Sequence, residues 1–441
     1  MAKAIILPLP AHGHVNPTLP LAQELMARGE EVSYCLPDQF KPTIASTGAT
    51  CLPYQLSGRG VRWRSLSCED LFCWLPLHMA VLSLEALPQV LELVCAEQPD
   101  YLIYDAWCLW GRLAARILHL PAIRFQTTFV MHEQLGPVFW ELLERADRVS
   151  MPRMADGPLP GGELLLTFRD AVEHLCTTYH VPVIELKSFF DHAEPLNLVP
   201  IPRAFQPGAE SFDERFQFVG PSLLPQDGGT DFPLHRFKKQ PTLYISLGTI
   251  CNNEAAFYQL CFVAFGEGGR VTTRGRSGER PGDQAHQQQW QVVLSSGKSD
   301  LGVLGVPPEN FLVRPRVPQL AVLQQSTVFL THGGMNSVME GLYYGVPLVV
   351  IPQTLEESIT AKRVEELGLG IALERNTLTV DRLQEAITGV ASDPEVHNRM
   401  QHMQDIIRES GGCRSAADTI IQFTRTSGQR LWSWPPRPGY P

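Results

Sequence analysis

The chain has 441 residues, of which 44% are apolar and 19% charged, and its formal net charge is −10. That length is enough for two ordinary domains, each burying its own core. The acidic balance argues against a nucleic-acid partner, because neutralising phosphates requires a basic face.

Ten cysteines are scattered with no C-x-x-C pair, so reduced thiols are expected, with neither disulfides nor a metal site. The N-terminus is too short in apolar residues and too interrupted by Pro8 and Pro10 for a signal peptide. The longest apolar run, Leu71–Leu84, holds Pro76 and His78 and stops at Glu85, short of a membrane span. A cytoplasmic protein is expected.

The first half alternates short apolar runs with helical patterns. "AIILPLP" (4–10) reads as a buried strand and "PTLPLAQELMARG" (17–29) as a helix ending at Gly29. "EVSYCLP" and "ATCLPY" follow as strands, then a helical stretch with proline breaks from Glu69 to Gln98. "YLIYD" (101–105) is a strand, followed by a helical "LWGRLAARILHL" and the strand "PAIRFQ". Such alternation implies parallel βαβ units.

Residues 222–240 lose the periodicity and gather Pro, Gly and charge, which marks a linker. A second α/β series then begins, with strands at "TLYISLGT", "WQVVLSSG", "NFLVRP", "TVFLTH" and "PLVVIP". Residues 266–289 are rich in Gly, Arg and Gln with no apolar face and read as a flexible surface insertion. The Pro-rich residues 425–441 read as a disordered tail. The fold class is α/β, with two Rossmann-like domains facing across a cleft.

The segment "THGGMNSVMEGLYYGVP" (331–347) carries the strongest chemical signal. A strand ends there, and a helix opens through His332-Gly333-Gly334. Parallel sheets bind ligands at the carboxyl ends of their strands, and a helix N-terminus suits an anionic phosphate. The glycines admit phosphate oxygens to the backbone, and His332, Asn336 and Ser337 add side-chain donors. Glu340, one turn further in, is placed to accept from ribose hydroxyls. Gly248-Thr249 forms a second strand-to-helix junction able to face the same ligand.

Taken with "VPQLAVL" (317–323), "GVPLVVIPQTLEES" (345–358) and the amino-terminal "LPAHGHVNPTLPLAQEL", this region resembles the UDP-glycosyltransferase family of inverting, NDP-sugar-dependent GT-B enzymes. The bacterial macrolide and flavonoid glycosyltransferases look most similar. The resemblance implies an acceptor-binding domain over 1–221, the linker 222–240 and a nucleotide-sugar domain over 241–424. It assigns the diphosphate to Thr249, His332, Gly334, Asn336 and Ser337, and the ribose to Glu340. The uracil edge falls to Val317–Gln319, and sugar hydroxyls to Glu356 and Glu357. Two positions depart from the family pattern. Arg316 stands where many relatives stack a tryptophan on the base, and Glu357 where glutamine is common.

His14 matches the family's general base and Asp105, at the end of "YLIYD", its carboxylate partner. Histidine titrates near neutral pH, and a carboxylate can hold its tautomer and stabilise the imidazolium. His12 is expected to orient rather than react. The implied activity is transfer of a sugar, glucose from UDP-glucose by default, to a hydroxyl of an apolar phenolic or macrolide acceptor. UDP-sugar is a co-substrate, and no other cofactor or metal is expected, there being no Asp-x-Asp motif. Phe72, Trp74, Trp107, Phe125, Phe129, Phe139 and Trp140 are as a group candidates to line the acceptor pocket, while any one of them taken singly reads first as core packing. Two other readings remain at this level: an NDP-sugar epimerase, and a non-catalytic protein that binds nucleotide sugars.

Overall fold

The computed structural model describes residues 2–57, 70–152, 165–223, 232–233, 240–249, 252–266, 290–299 and 301–428. Most of the expected linker, residues 267–289 of the expected insertion and residues 429–441 of the expected tail lie outside them. The chain divides into two compact units, one of Met1–Leu224 with Ile407–Pro441 and one of Pro225–Ile406.

Among the described residues nine strands fall in the first unit: β1 (Lys3–Leu7), β2 (Glu31–Cys35), β3 (Thr50–Leu52), β4 (Tyr101–Asp105), β5 (Ala122–Phe125), β6 (Ser150–Pro152), β7 (Leu165–Thr167), β8 (Leu196–Val199) and β9 (Phe216–Phe218). All but β6 and β7 form one parallel sheet in the order β3-β2-β1-β4-β5-β8-β9, while β6 and β7 make a separate antiparallel pair. The central strands are buried along their length, and Ala4-Ile5-Ile6-Leu7 is apolar at every position, as a sheet covered on both faces requires. The chain runs outward from β1 to β3, then returns to place β4 on the other side of β1. The carboxyl ends of β1 and β4 therefore flank the switch point of the sheet.

The second unit repeats this plan. Its strands are β10 (Thr242–Ser246), β11 (Gln291–Ser295), β12 (Phe311–Arg314), β13 (Val328–Thr331), β14 (Leu348–Val350) and β15 (Gly370–Ala372). They form a parallel sheet in the order β12-β11-β10-β13-β14-β15. Ser246 pairs with Thr331, so the switch point lies between the ends of β10 and β13.

The structure corrects three expectations. The proline breaks before Gln98 do not exist: Leu71–Glu97 is one helix containing Pro76 and Pro88, and left-handed Gln98 ends it. Each proline removes one helical hydrogen bond. Packing against the helices Leu109–Ile117, Pro137–Asp147 and Phe168–Thr178 holds the axis together. The helix continues past Glu85, so it exceeds the apolar run read from the sequence. Among the described residues it is long and apolar enough to cross a membrane, although half of its most apolar stretch is buried within the protein.

The second correction concerns the end of the nucleotide-sugar domain, set at residue 424. Residues 407–428 pack with the first unit. The helix Gly412–Gly428 lays Ala416, Ala417 and Ile420 into the same cluster as Ala22 and Leu25 of the helix Leu19–Ala27. Arg28 fastens the two together through the Asp418 carboxylate and the Arg414 carbonyl. That helix also runs four residues into the segment read as a disordered tail.

The third concerns the aromatic side chains. Phe72, Trp107, Phe125, Phe129 and Phe139 are core residues, and Phe72 and Trp107 meet edge to face with ring centres 5.6 Å apart. Trp140 is 48% exposed, and Trp74 is part-buried.

Ile420 is completely buried. Ile420→Ala is expected to destabilise the first unit by about 2–4 kcal/mol, read as a shift of its denaturant midpoint. An unchanged midpoint would show that the terminal helix adds nothing to that unit.

Candidate active site

Two sets of side chains gather at the two switch points. In the first unit, β1 is followed by a one-turn helix, His12–Val15. This turn holds His14 at the sheet edge while Val15 is buried beneath it. The His12 ring packs edge-on against Phe40, with centres 5.4 Å apart.

His14 Nδ1 lies 2.8 Å from Asp105 Oδ2, the final residue of β4. The Asp105 side chain is fully buried, and that of His14 is 21% exposed. A carboxylate shut away from water is costly unless donors surround it. Asp105 meets that condition: Oδ1 accepts the Trp107 amide at 2.9 Å, and Oδ2 accepts from the Thr127 hydroxyl at 3.3 Å as well as from the imidazole. Thr127 Oγ1 is also 2.9 Å from His14 Nδ1. Thr127, just past the end of β5, was not singled out from the sequence. Its only signal there was a pair of threonines following a strand.

In the second unit, His332 follows β13. Burial lowers its pKa to about 4, so its imidazole is neutral at pH 7. The ring fits between two glycines. A Cβ on Gly248, whose φ is +74°, would approach the ring to 2.5 Å, and one on Gly334 would collide with Nε2. Any larger residue at either position would displace the imidazole. The helix Met335–Tyr344 then begins at Gly334, and its first amides have no acceptor within the helix. Thr249 stands exposed beyond β10, and Asn336 is part-buried.

The residues assigned to base and ribose are divided between surface and interior. Arg316 is exposed and Val317 part-buried on the loop after β12. The Gln319 side chain turns inward: its carbonyl accepts from the Tyr244 hydroxyl at 2.7 Å, and its amide donates to Ser337 Oγ and to Glu340 Oε2. Ser337, expected on the diphosphate, is therefore buried against Gln319. Burial raises the Glu340 pKa to about 7, opposed by the bond from Gln319.

Glu357 has a role the sequence reading missed. Thr354 and Glu357 form a reciprocal capping box at the start of the helix Leu355–Glu366. Glu357 Oε2 accepts the amides of Gln353 at 2.7 Å and Thr354 at 3.1 Å, and Oε1 lies 3.9 Å from His332 Nε2. The Thr-x-x-Glu spacing was visible in the sequence as the usual signature of this cap. Burial raises the Glu357 pKa to about 7, against the pull of the backbone bonds. Glu356, its neighbour, is part-buried. Among the described residues no group of three or more His, Cys, Asp or Glu could hold a metal ion.

Comparison with known proteins places the chain in a family. A family described as "Erythromycin biosynthesis protein CIII-like, C-terminal domain" matches residues 283–410. The chain is 35% identical over 429 residues to the NDP-glycosyltransferase YjiC of Bacillus licheniformis, covering 96% of this chain and 98% of that one. It is 29% identical over 432 residues to the oleandomycin glycosyltransferase of Streptomyces antibioticus, covering 95% of this chain and 90% of that one. A solved structure, the glycotransferase of kitacinnamycin, matches with a TM-score of 0.76 at 29% identity, over 96% of this chain and 98% of that one. Two parallel-sheet α/β units and these relatives define a glycosyltransferase of GT-B fold. The chain belongs to the bacterial UDP-glycosyltransferase family.

A buried glutamic acid with a raised pKa binds its proton more tightly in the folded state, so its share of stability is present below pH 4.5 and lost as pH rises through about 7. Glu340→Gln, which stays neutral, should therefore gain in melting temperature over wild type on going from pH 5 to pH 8. A constant difference between the two proteins across that range would contradict the assignment.

Proposed function

We propose that this enzyme transfers a sugar, glucose by default, from a UDP-sugar to a hydroxyl of an apolar phenolic or macrolide-type acceptor, with inversion at the anomeric carbon. The observation that carries the reading is the 2.8 Å contact between His14 Nδ1 and the buried Asp105 carboxylate at the switch point of the first sheet. An acceptor hydroxyl is a weak nucleophile until it loses its proton. With Nδ1–H held by Asp105, the lone pair of the imidazole is on Nε2, where it can take that proton. Asp105 then stabilises the imidazolium as it forms, without being protonated itself. The alkoxide attacks the anomeric carbon from the face opposite the diphosphate, the glycosidic C–O bond to phosphate breaks, and the electron pair leaves on UDP.

The second unit takes the leaving group. The amino end of the helix Met335–Tyr344, the neutral His332 and the side chains of Thr249 and Asn336 supply donors to the developing negative charge. Ser337 and Gln319 brace Glu340, which receives the ribose hydroxyls. The Val317–Gln319 backbone meets the uracil edge, and the Arg316 guanidinium stacks on the base. Since Glu357 is committed to its helix cap, the sugar hydroxyls fall chiefly to Glu356. The names of the relatives support a natural-product acceptor, and the apolar first half of the sequence is consistent with one. An epimerase needs no acceptor and so no apolar first half, and family membership favours transfer over a binding-only role.

The test combines the protein with UDP-glucose or dTDP-glucose and a panel of flavonoid and macrolide acceptors, following product mass. A β-glycoside is expected, and His14→Ala should lower kcat by roughly 10²- to 10⁴-fold. No transfer by wild type to any member, or undiminished transfer by His14→Ala, would overturn the proposal.

A further inference from the structure

We infer that Thr127 is a positioning residue that holds the Asp105 carboxylate in line with His14 by closing a three-membered hydrogen-bonded ring with both side chains. The inference rests on the general-base role proposed for His14, but it concerns an arrangement measurable in the resting protein. Three heavy atoms form the ring: His14 Nδ1 and Asp105 Oδ2 are 2.8 Å apart, Thr127 Oγ1 and Nδ1 are 2.9 Å apart, and Thr127 Oγ1 and Oδ2 are 3.3 Å apart. Asp105 and Thr127 are buried, and all three belong to the same compact unit.

Hydrogen-bond bookkeeping separates the possible arrangements. An ionised Asp105 only accepts, whereas the threonine hydroxyl donates one proton and accepts through its lone pairs. With the imidazole proton on Nδ1, every contact is satisfied. Nδ1–H is shared between Oδ2 and Oγ1, and the Thr127 hydroxyl donates to Oδ2. With the proton on Nε2, the Nδ1 lone pair faces the carboxylate at 2.8 Å, and the single Thr127 proton can serve only one of the two acceptors. That second arrangement places two lone pairs in contact in a site with little water to screen them.

Without Thr127 the carboxylate would keep the Trp107 amide on Oδ1 and the imidazole as the sole partner of Oδ2 within this ring. It could then rotate about its Cβ–Cγ bond, and the ring would lose its second support. Thr127 thus acts on the reaction through His14 and Asp105. Trp107 fixes one carboxylate oxygen from the backbone side, and Thr127 fixes the other from the end of β5.

Thr127→Val preserves shape and removes the hydroxyl, and Thr127→Ser restores it. Histidine 15N chemical shifts of selectively labelled protein report the tautomer, with the His14 signals assigned by their loss in His14→Ala. The Nδ1–H form is expected in all three proteins, because the Asp105 carboxylate requires it, while the Nδ1 signal is displaced in Thr127→Val, which has lost the hydroxyl contact, and restored in Thr127→Ser. In a transfer assay Thr127→Val should lose about ten-fold in kcat, roughly the worth of one hydrogen bond to a charged group. Its KM for donor and acceptor should not change, and Thr127→Ser should recover most of the rate. An Nδ1 chemical shift in Thr127→Val equal to that of wild type would overturn the inference, as would a defect confined to donor KM, which marks a hydroxyl that only touches substrate. The spectroscopic arm holds whether or not wild type transfers sugar, so failure of the proposed reaction and failure of this inference give different results.

Discussion

A carboxylate removed from water constrains the first unit. Asp105 ends a fully buried strand, and its ionised form is tolerable there only because an amide, a hydroxyl and an imidazole point at it. Each donor comes from a different connection at the sheet edge: the turn after β4, the loop after β5 and the short helix after β1. The parallel order of β1, β4 and β5 brings those three connections side by side, so the dyad follows from the topology. A residue at the end of an outer strand such as β3 would have no such set of neighbours.

The second unit solves the opposite electrostatic problem. Its ligand would bring negative charge, and a site lined with fixed cations would hold the product as firmly as the substrate. The buried groups here are instead close to neutral. His332 is uncharged at pH 7, and Glu340 and Glu357 are both shifted toward their protonated forms by burial. Positive potential then comes from the helix terminus, which is directional and falls off within a turn. Gly248 and Gly334 make room for the imidazole on either side, so the backbone conformation and the placement of the ring depend on each other.

The fold was largely legible in the sequence, because parallel strands buried on both faces read as continuous apolar runs: Ala4–Leu7, Tyr101–Asp105 and Val328–Thr331 all emerged in this way. The His14–Asp105 contact was also anticipated, through motif resemblance. What escaped lies in relations between distant segments. Thr127 has no local signature, since its importance arises from two neighbouring strand ends far away in the chain. Glu357 was read as a ligand-facing departure from glutamine, although Thr354 three residues earlier already specified a helix cap. The prolines of the helix Leu71–Glu97 were overvalued as breakers because tertiary packing outweighs a local propensity. The domain boundary near the carboxyl end failed for the same reason: a helix carries its apolar stripe in its sequence, but the surface that will cover it is not written there.

That returning helix has a consequence for biosynthesis. Ala416, Ala417 and Ile420 cover the helix Leu19–Ala27, which leaves the ribosome nearly four hundred residues earlier. Until the helix Gly412–Gly428 is made, the apolar face of the earlier helix waits uncapped while an entire second unit is synthesised. The first unit is begun before the second and completed after it, so a nascent chain released between the two would carry a sticky flank on its amino-terminal half.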